Sequence, residues 1–522
     1  MIYTLLGFFG FTIFVICYVW YKLRSENLTS SQGYFLAGKS LTGVVIAGSM
    51  IMTNISTEHL IGMNGNAYRN GMIVVAWEVT SAIALVIAAI YFIPRYIRMG
   101  LTTIPEYLES RFDKLTRTLV AVFLMISFVV TLLPIVLYTG AINFESIFNV
   151  STVLGVSESN ALLLTIIVIG GIGSMYAIFG GLKAVALSDT INGIGLFSLG
   201  LIIPGIALYQ IGNGNLLDGI STIYSHSPEK FDIIGEADST LPFSVLFTGL
   251  MINQLYFWGM NQTIIQRALG AKNLVEAQKG LIYTGFLKLF VPLIIVLPGL
   301  IGFYYFGDSF YDSQDYIYPQ LVKKLLPPGL TGLFAAVLLG AVLSTFNSVL
   351  NSASTIFCLD LYKPYFAKSA TDGEVVKVGK WVAVILAVFA ITVAPMVANA
   401  PEGLFQLLQQ LNGIFFIPIA SILFAGFFAK SINANGAKAG LIFGLIFYLL
   451  TTFIIEVDIH FVHIWGIEFV LNFVLMFIVS AYFKTTKVVI EKEVDTSESW
   501  KYVKTIGLFL VIVTVLIYIL LS

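Results

Sequence analysis

The chain has 522 residues, 58% of them hydrophobic and 11% charged, with a formal net charge of −1. Soluble domains carry about 25% charged residues, so this composition excludes an ordinary soluble protein, and the near-zero charge argues against a nucleic-acid partner. Two cysteines, Cys17 and Cys358, lie in or at the end of apolar stretches without CxxC spacing, which excludes a disulfide framework and fits small apolar fillers.

A helix crossing a bilayer needs about 20 mostly apolar residues. Such stretches run in chain order over 2–21, 41–63, 72–94, 118–146, 158–180, 184–210, 241–265, 280–306, 329–358, 377–398, 402–428, 436–456, 461–483 and 502–521. They are too long and too evenly apolar for barrel strands, and helices satisfy their own backbone in lipid. The expected fold class is therefore all-α integral membrane with about 14 transmembrane helices. The first stretch is read as a retained helix rather than a signal peptide, because no basic residue precedes Lys22 and the run exceeds an h-region. Thr102 to Leu108 predicts a short helix with Pro105 near its first turn, the 211–240 loop has room for another, and 484–500 reads as a charged linker.

Lys and Arg set the orientation. With the N-terminus outside, the inside loops hold 23 basic residues and the outside loops 4, Lys288 lying within a span. That bias supports a multi-pass protein of the cell membrane with both termini outside, or periplasmic.

Two spans are interrupted by polarity. The first, 41–63, carries Thr53-Asn54-Ile55-Ser56-Thr57-Glu58-His59 at its middle; the second, 241–265, carries Asn253-Gln254 and Asn261-Gln262. An intramembrane carboxylate costs at least ~2.5 kcal/mol on insertion scales and marks a substrate or ion pathway. If the N-terminal helix is left out, these are core spans one and six. Matching breaks in two five-helix halves point to an inverted-repeat transporter with its site at the midplane. The expected divisions are an extra helix and loop over 1–40, a first repeat over 41–210, a second over 211–428, and three peripheral helices over 429–522.

Other buried polarity is sparse: Glu78 in core span two, Asp189 in five, Lys288 in seven, Gln406, Gln409, Gln410 and Asn412 in ten, and the run Ser344, Thr345, Asn347, Ser348, Asn351 and Ser352 in eight. Glu78 and Lys288 either pair as a structural salt bridge or meet a hydroxylated ligand, and a pair that opens does both. Single Ser and Thr hydroxyls usually bond their own i−4 carbonyl, but Ser344 and Ser348 share a helix face. Hydroxyls beside the free carbonyls of a broken helix suit a hard cation such as sodium. His59 is either a packed neutral histidine or a ligand-facing one, and Glu58 is expected to be structural. The motifs GxxxxGK[ST], HExxH and GxSxG are absent, so no enzyme is expected.

Several words resemble the sodium/solute symporter family, especially its bacterial and animal sodium/sugar (galactose and glucose) cotransporters. They include Tyr34-Phe35-Leu36-Ala37-Gly38-Lys39-Ser40, Asn54-Ile55-Ser56, Ile61-Gly62-Met63, Thr103-Ile104-Pro105-Glu106-Tyr107 and Gly180-Gly181-Leu182-Lys183-Ala184-Val185 with Asp189. Asn261-Gln262, Ile265-Gln266-Arg267, Ala277-Gln278-Lys279-Gly280, Leu350-Asn351-Ser352 and Asp360-Leu361-Tyr362-Lys363 complete the set, which spans most of 34–363. The resemblance implies a leucine-transporter-type core of ten helices in two inverted repeats and alternating access driven by Na+. It implies substrate positions Asn54, His59, Glu78, Ser81, Gln254, Lys288 and Gln409, with gating aromatics Phe257, Trp77 and Trp258. Phe257 stands where the sugar-carrying relatives have a hydroxylated aromatic, and His59 where bacterial galactose carriers have glutamine. It implies a sodium site from Met52, Ile55 and Ala341 oxygens with the Ser344 and Thr345 hydroxyls, and a second set from Asp189, Ser344, Asn347 and Ser348. Asn347 departs there from the usual small hydroxyl residue.

The expected function is sodium-coupled import of a neutral hexose such as galactose or glucose, with membrane lipid, sodium and the sugar as partners and no obligate protein partner. Inositol or sialic acid is the alternative substrate. A membrane sensor with a transporter-like core is the alternative of a different class; it is disfavoured because no soluble segment follows the last span.

Overall fold

The computed structural model describes residues 2–399, 404–484 and 497–522. Eleven of its helices are long and apolar enough to cross a membrane, and the described residues form no β-strand. Each expected apolar span falls on these helices or on the broken pairs described below. Most of the expected linker, 485–496, lies outside the described residues.

Two of the long helical runs fold back at a glycine. In Glu158–Ile211 the turn is at Gly181, with φ 58° and ψ −163°, a region open to glycine and costly to side chains. The space is closed as well, since a Cβ there would stand 2.5 Å from the Tyr34 carbonyl oxygen. Tyr34 locks the other side of the bend by donating its hydroxyl to the Ala177 carbonyl at 2.7 Å. Gly181→Ala is expected to destabilise the protein by about 1–3 kcal/mol, seen as a lowered melting temperature of the purified protein; an unchanged melt would show that the bend tolerates a side chain. In Glu58–Arg98 the equivalent turn is Gly71, φ 77°, where a Cβ would meet the Lys230 carbonyl at 2.5 Å.

The short helix expected near 102–108 forms over Ile104–Arg111, with Pro105 in its first turn and the Thr103 side chain accepting from the Glu106 amide. The 211–240 loop holds a helix over Leu216–His226. Leu41, at the start of the first core span, exchanges backbone hydrogen bonds with Gly270 and Lys272, just past the sixth. The two interrupted spans are thus tied together at one end.

Two charges assigned to loops turn inward instead. Arg267 is completely buried, because the short helix Gln262–Leu269 packs all its residues inside the bundle. Lys230 is also buried and donates to the Tyr68 and Arg69 carbonyls at 3.1 and 2.9 Å, where an ammonium complements the C-terminal end of helix Asn64–Asn70.

Candidate functional site

The first core span breaks where its sequence turns polar. Helix Gly43–Asn54 ends at Ile55, which is extended (φ −82°, ψ 91°). The Ile55 amide still reaches Ile51, but the Ser56 amide turns to the Asn54 carbonyl rather than that of Met52. Helical winding resumes at Glu58–Met63 as a wider π-type turn, a form common at functional sites. The sixth core span breaks at Met260–Asn261, between helices Gly249–Gly259 and Gln262–Leu269, with the Asn261 side chain capping the second by accepting from Thr263.

Between these breaks lies a polar cavity lined from both interrupted spans. Asn54, His59, Glu78, Gln254, Lys288 and Gln409 all face it, as do the aromatics Trp77, Phe257 and Trp258. Ser81 does not; it is buried one turn beyond Glu78 and its hydroxyl donates to the Glu78 backbone carbonyl. Tyr256 likewise turns away, packing on Phe416 with ring centroids 4.7 Å apart.

The polar wall is a connected network. Lys288 donates to Glu78 Oε2 and, at 2.7 Å, to Asn54 Oδ1, and its ammonium lies 5.3 Å from the Trp258 ring centroid, a cation–π contact. His59 Nε2 stands 3.7 Å from Glu78 Oε1, and its Nδ1 3.7 Å from Glu58 Oε1. Gln254 donates to the Trp77 carbonyl at 2.6 Å and accepts from Trp258 Nε1 at 3.1 Å. Lys288 and Glu78 are each 1% exposed, so the pair is taken fully out of water, and each charge depends on the other. Polar atoms of this wall still lack partners: Glu58 Oε2, His59 Nδ1, Asn253 Oδ1 and Asn412 Oδ1 are buried without hydrogen bonds. Unpartnered buried atoms of this kind are suited to a polar ligand.

Among the lining residues that sequence reasoning did not assign to the site are Glu58, Phe405 and Asn412. Glu58, expected to be structural, faces the cavity beside His59 because the chain re-enters its helix at that residue. Phe405 lines it edge-on to both His59 (5.2 Å) and Trp77 (5.8 Å). Asn412 joins Gln409 on the same wall. Residues 405, 409 and 412 recur at helical spacing, a signal that could have placed all three together.

The family profile described as sodium:solute symporter family matches residues 34–444. The chain belongs to the sodium:solute symporter family. It is a transporter rather than an enzyme, a multi-pass membrane protein that couples a small-molecule substrate to sodium. It is 42% identical over 475 residues to the uncharacterised symporter YidK of Escherichia coli K12, covering 91% of this chain and 83% of that protein. It is 36% identical to the sodium/glucose cotransporter of Vibrio parahaemolyticus, over 81% of this chain and 80% of that one. Among solved structures, a substrate-bound, outward-open Na+-coupled sialic acid symporter superposes with a TM-score of 0.77 over 93% of this chain and 99% of the other, at 21% identity. At that identity the likeness establishes the fold, the leucine-transporter-type arrangement expected above.

In this symporter the break frees carbonyls next to the eighth core span. Thr345 Oγ1 donates to the Thr53 carbonyl at 3.1 Å and reaches that of Met52 at 3.5 Å. Met52, Ile55 and Ala341 are fully buried, and Ser344 Oγ is a buried hydroxyl with no hydrogen-bond partner. This oxygen-only set of freed carbonyls and an unsatisfied hydroxyl suits a hard cation. Beside it, Asp189 Oδ1 and Asn347 Oδ1 also lack partners, and Ser344 faces Asp189 without a bond of good geometry. Ser348 is engaged otherwise, bonded to Thr53 at 2.9 Å and to the Arg267 guanidinium. Ser49 links the two buried charges, donating to Asp189 Oδ2 at 2.6 Å and accepting from Arg267 Nε at 3.1 Å.

Proposed function

We propose that this symporter imports a neutral sugar, a hexose such as galactose or glucose, across the cell membrane by alternating access. The observation that carries the substrate class is the charge of the cavity. Among the described lining residues, Lys288 is the one Lys or Arg side chain, and Glu78 already neutralises it, while Glu58 adds a second carboxylate. The 118–146 span adds no Lys or Arg. An anionic sugar acid would find no Lys or Arg free of a partner there, whereas hydroxyls can both donate to the carboxylates and accept from the ammonium and amides. The name of the Vibrio relative, a sodium/glucose cotransporter, agrees with this reading.

In the proposed cycle, sodium bound by Met52, Ile55 and Ala341 oxygens with Ser344 and Thr345 hydroxyls holds the broken first span in its binding-competent shape. Sugar is then held by Asn54, His59, Glu78, Gln254, Lys288 and Gln409 between Trp77, Phe257 and Trp258. The halves 41–210 and 211–428 act as the inverted repeats, and both termini lie outside. Asp189, Ser344 and Asn347 form a second sodium position; Arg267 nearby competes with a cation for Asp189, which makes it the weaker one. One charge moving down 100 mV contributes about 2.3 kcal/mol, so each sodium supports accumulation on the order of 50-fold.

The test is uptake into proteoliposomes under an inward sodium gradient, with labelled galactose, glucose, inositol and sialic acid. Sodium is expected to stimulate a neutral sugar and leave sialic acid at background. Stimulation by sialic acid alone would overturn the substrate class while leaving the family unchanged.

A further inference from the structure

The peripheral helix Phe461–Tyr482 carries a carboxylate that the transport site does not use. Glu468 is completely buried. Its Oε1 accepts from Asn472 Nδ2 at 3.4 Å, and that same nitrogen donates to Ser421 Oγ, on the tenth core span, at 3.2 Å. Glu468 Oε2, Asn472 Oδ1 and Trp465 Nε1 are buried without hydrogen-bond partners. The site is built to hold the acid: a Cβ at Gly444 would stand 2.7 Å from Glu468 Oε1 and 2.6 Å from Asn472 Nδ2.

Among the described residues no cation pairs with this carboxylate. Of the helices packed against it, Leu404–Phe428 has no ionisable side chain. Ala434–Leu449 has Lys438, which pairs with Asp113 at 2.7 Å, and Tyr448. Gly249–Gly259 has Tyr256. On its own helix, His463 bonds Ser244 and Thr248 through its two ring nitrogens, and Tyr482 is at the far end. A buried carboxylate with neither cation nor full hydrogen bonding takes up a proton instead of staying charged.

We propose that Glu468 is a proton-binding site whose occupancy seats the tenth core span against the peripheral helices. A proton needs one unpartnered oxygen, which Oε2 provides, and it adds a donor to a cluster that holds the unpartnered acceptor Asn472 Oδ1. The seat matters because it backs the wall of the cavity. Trp465 packs edge-on against Trp77 with centroids 6.2 Å apart, and Tyr448 donates its hydroxyl to the Gln410 carbonyl at 3.1 Å, next to Gln409. Loss of the proton leaves a bare charge between helices that the cavity needs closely packed.

The inference stands apart from the substrate and is tested without it. Purified protein in lipid nanodiscs is compared with Glu468→Gln by infrared difference spectroscopy at pH 7. The wild type is expected to show a carboxylic-acid C=O band that the variant loses. A lost carboxylate band in its place would overturn the proposal. Glu468→Leu supplies a second reading: a neutral side chain of similar volume is expected to fold and reconstitute, and a chain that folds with neither Gln nor Leu at 468 would also overturn it.

Discussion

Glu78→Ala is expected to abolish the proposed sodium-driven sugar uptake, by at least a hundredfold, and to lower the thermal stability of the purified protein. Glu78 and Lys288 are each 1% exposed and bonded to one another. Removing one member of a buried pair leaves the other uncompensated, at a cost of about 3–5 kcal/mol. The double variant Glu78→Leu with Lys288→Leu separates the two roles. Replacing both charges together removes the orphaned ammonium, so stability is expected to return while uptake stays absent, because the sugar has lost its carboxylate and its ammonium. Uptake restored in the double variant would reduce the pair to a structural salt bridge.

Thr345→Ala is expected to raise the sodium concentration needed for half-maximal uptake about tenfold. From the eighth core span this hydroxyl reaches the carbonyls freed at the first span's break, 3.1 Å from Thr53 and 3.5 Å from Met52. Loss of one oxygen ligand worth about 1.4 kcal/mol is a factor of ten. Ser344→Ala tests the same set from its unpartnered hydroxyl. An unchanged sodium dependence in Thr345→Ala would remove that residue from the ion site. Thr345→Ser, which keeps the oxygen, is expected to retain the wild-type requirement.

The helices and both breaks were legible in the sequence because an apolar background makes polarity conspicuous. Asn54, Glu78 and Lys288 stood out as expensive residues in lipid, and they converge on one network. What was not legible depended on direction rather than polarity. Ser81 sits one turn from Glu78, yet its hydroxyl is taken up by a backbone carbonyl. Phe405 lines the cavity but reads as one more apolar residue in an apolar span. Arg267 looked like a loop cation because it follows the apolar span that ends at 265, and only packing shows that its helix is buried on all sides. Glu468 lies in a stretch where hydropathy alone was informative, and its meaning comes from the neighbours that fail to pair with it.

Beside the cavity the first and tenth core spans meet main chain against main chain. A Cβ on Gly62 would stand 2.8 Å from the Phe405 amide nitrogen and 3.3 Å from its Cα. A contact of that kind has no rotamer to turn, so no side-chain flip can part it. The two spans separate there only if one of them moves as a rigid body, a movement of the microsecond-to-millisecond class rather than the nanosecond class of side-chain flips. Any such helix tilt works against the surrounding lipid, so bilayer viscosity and thickness act on it.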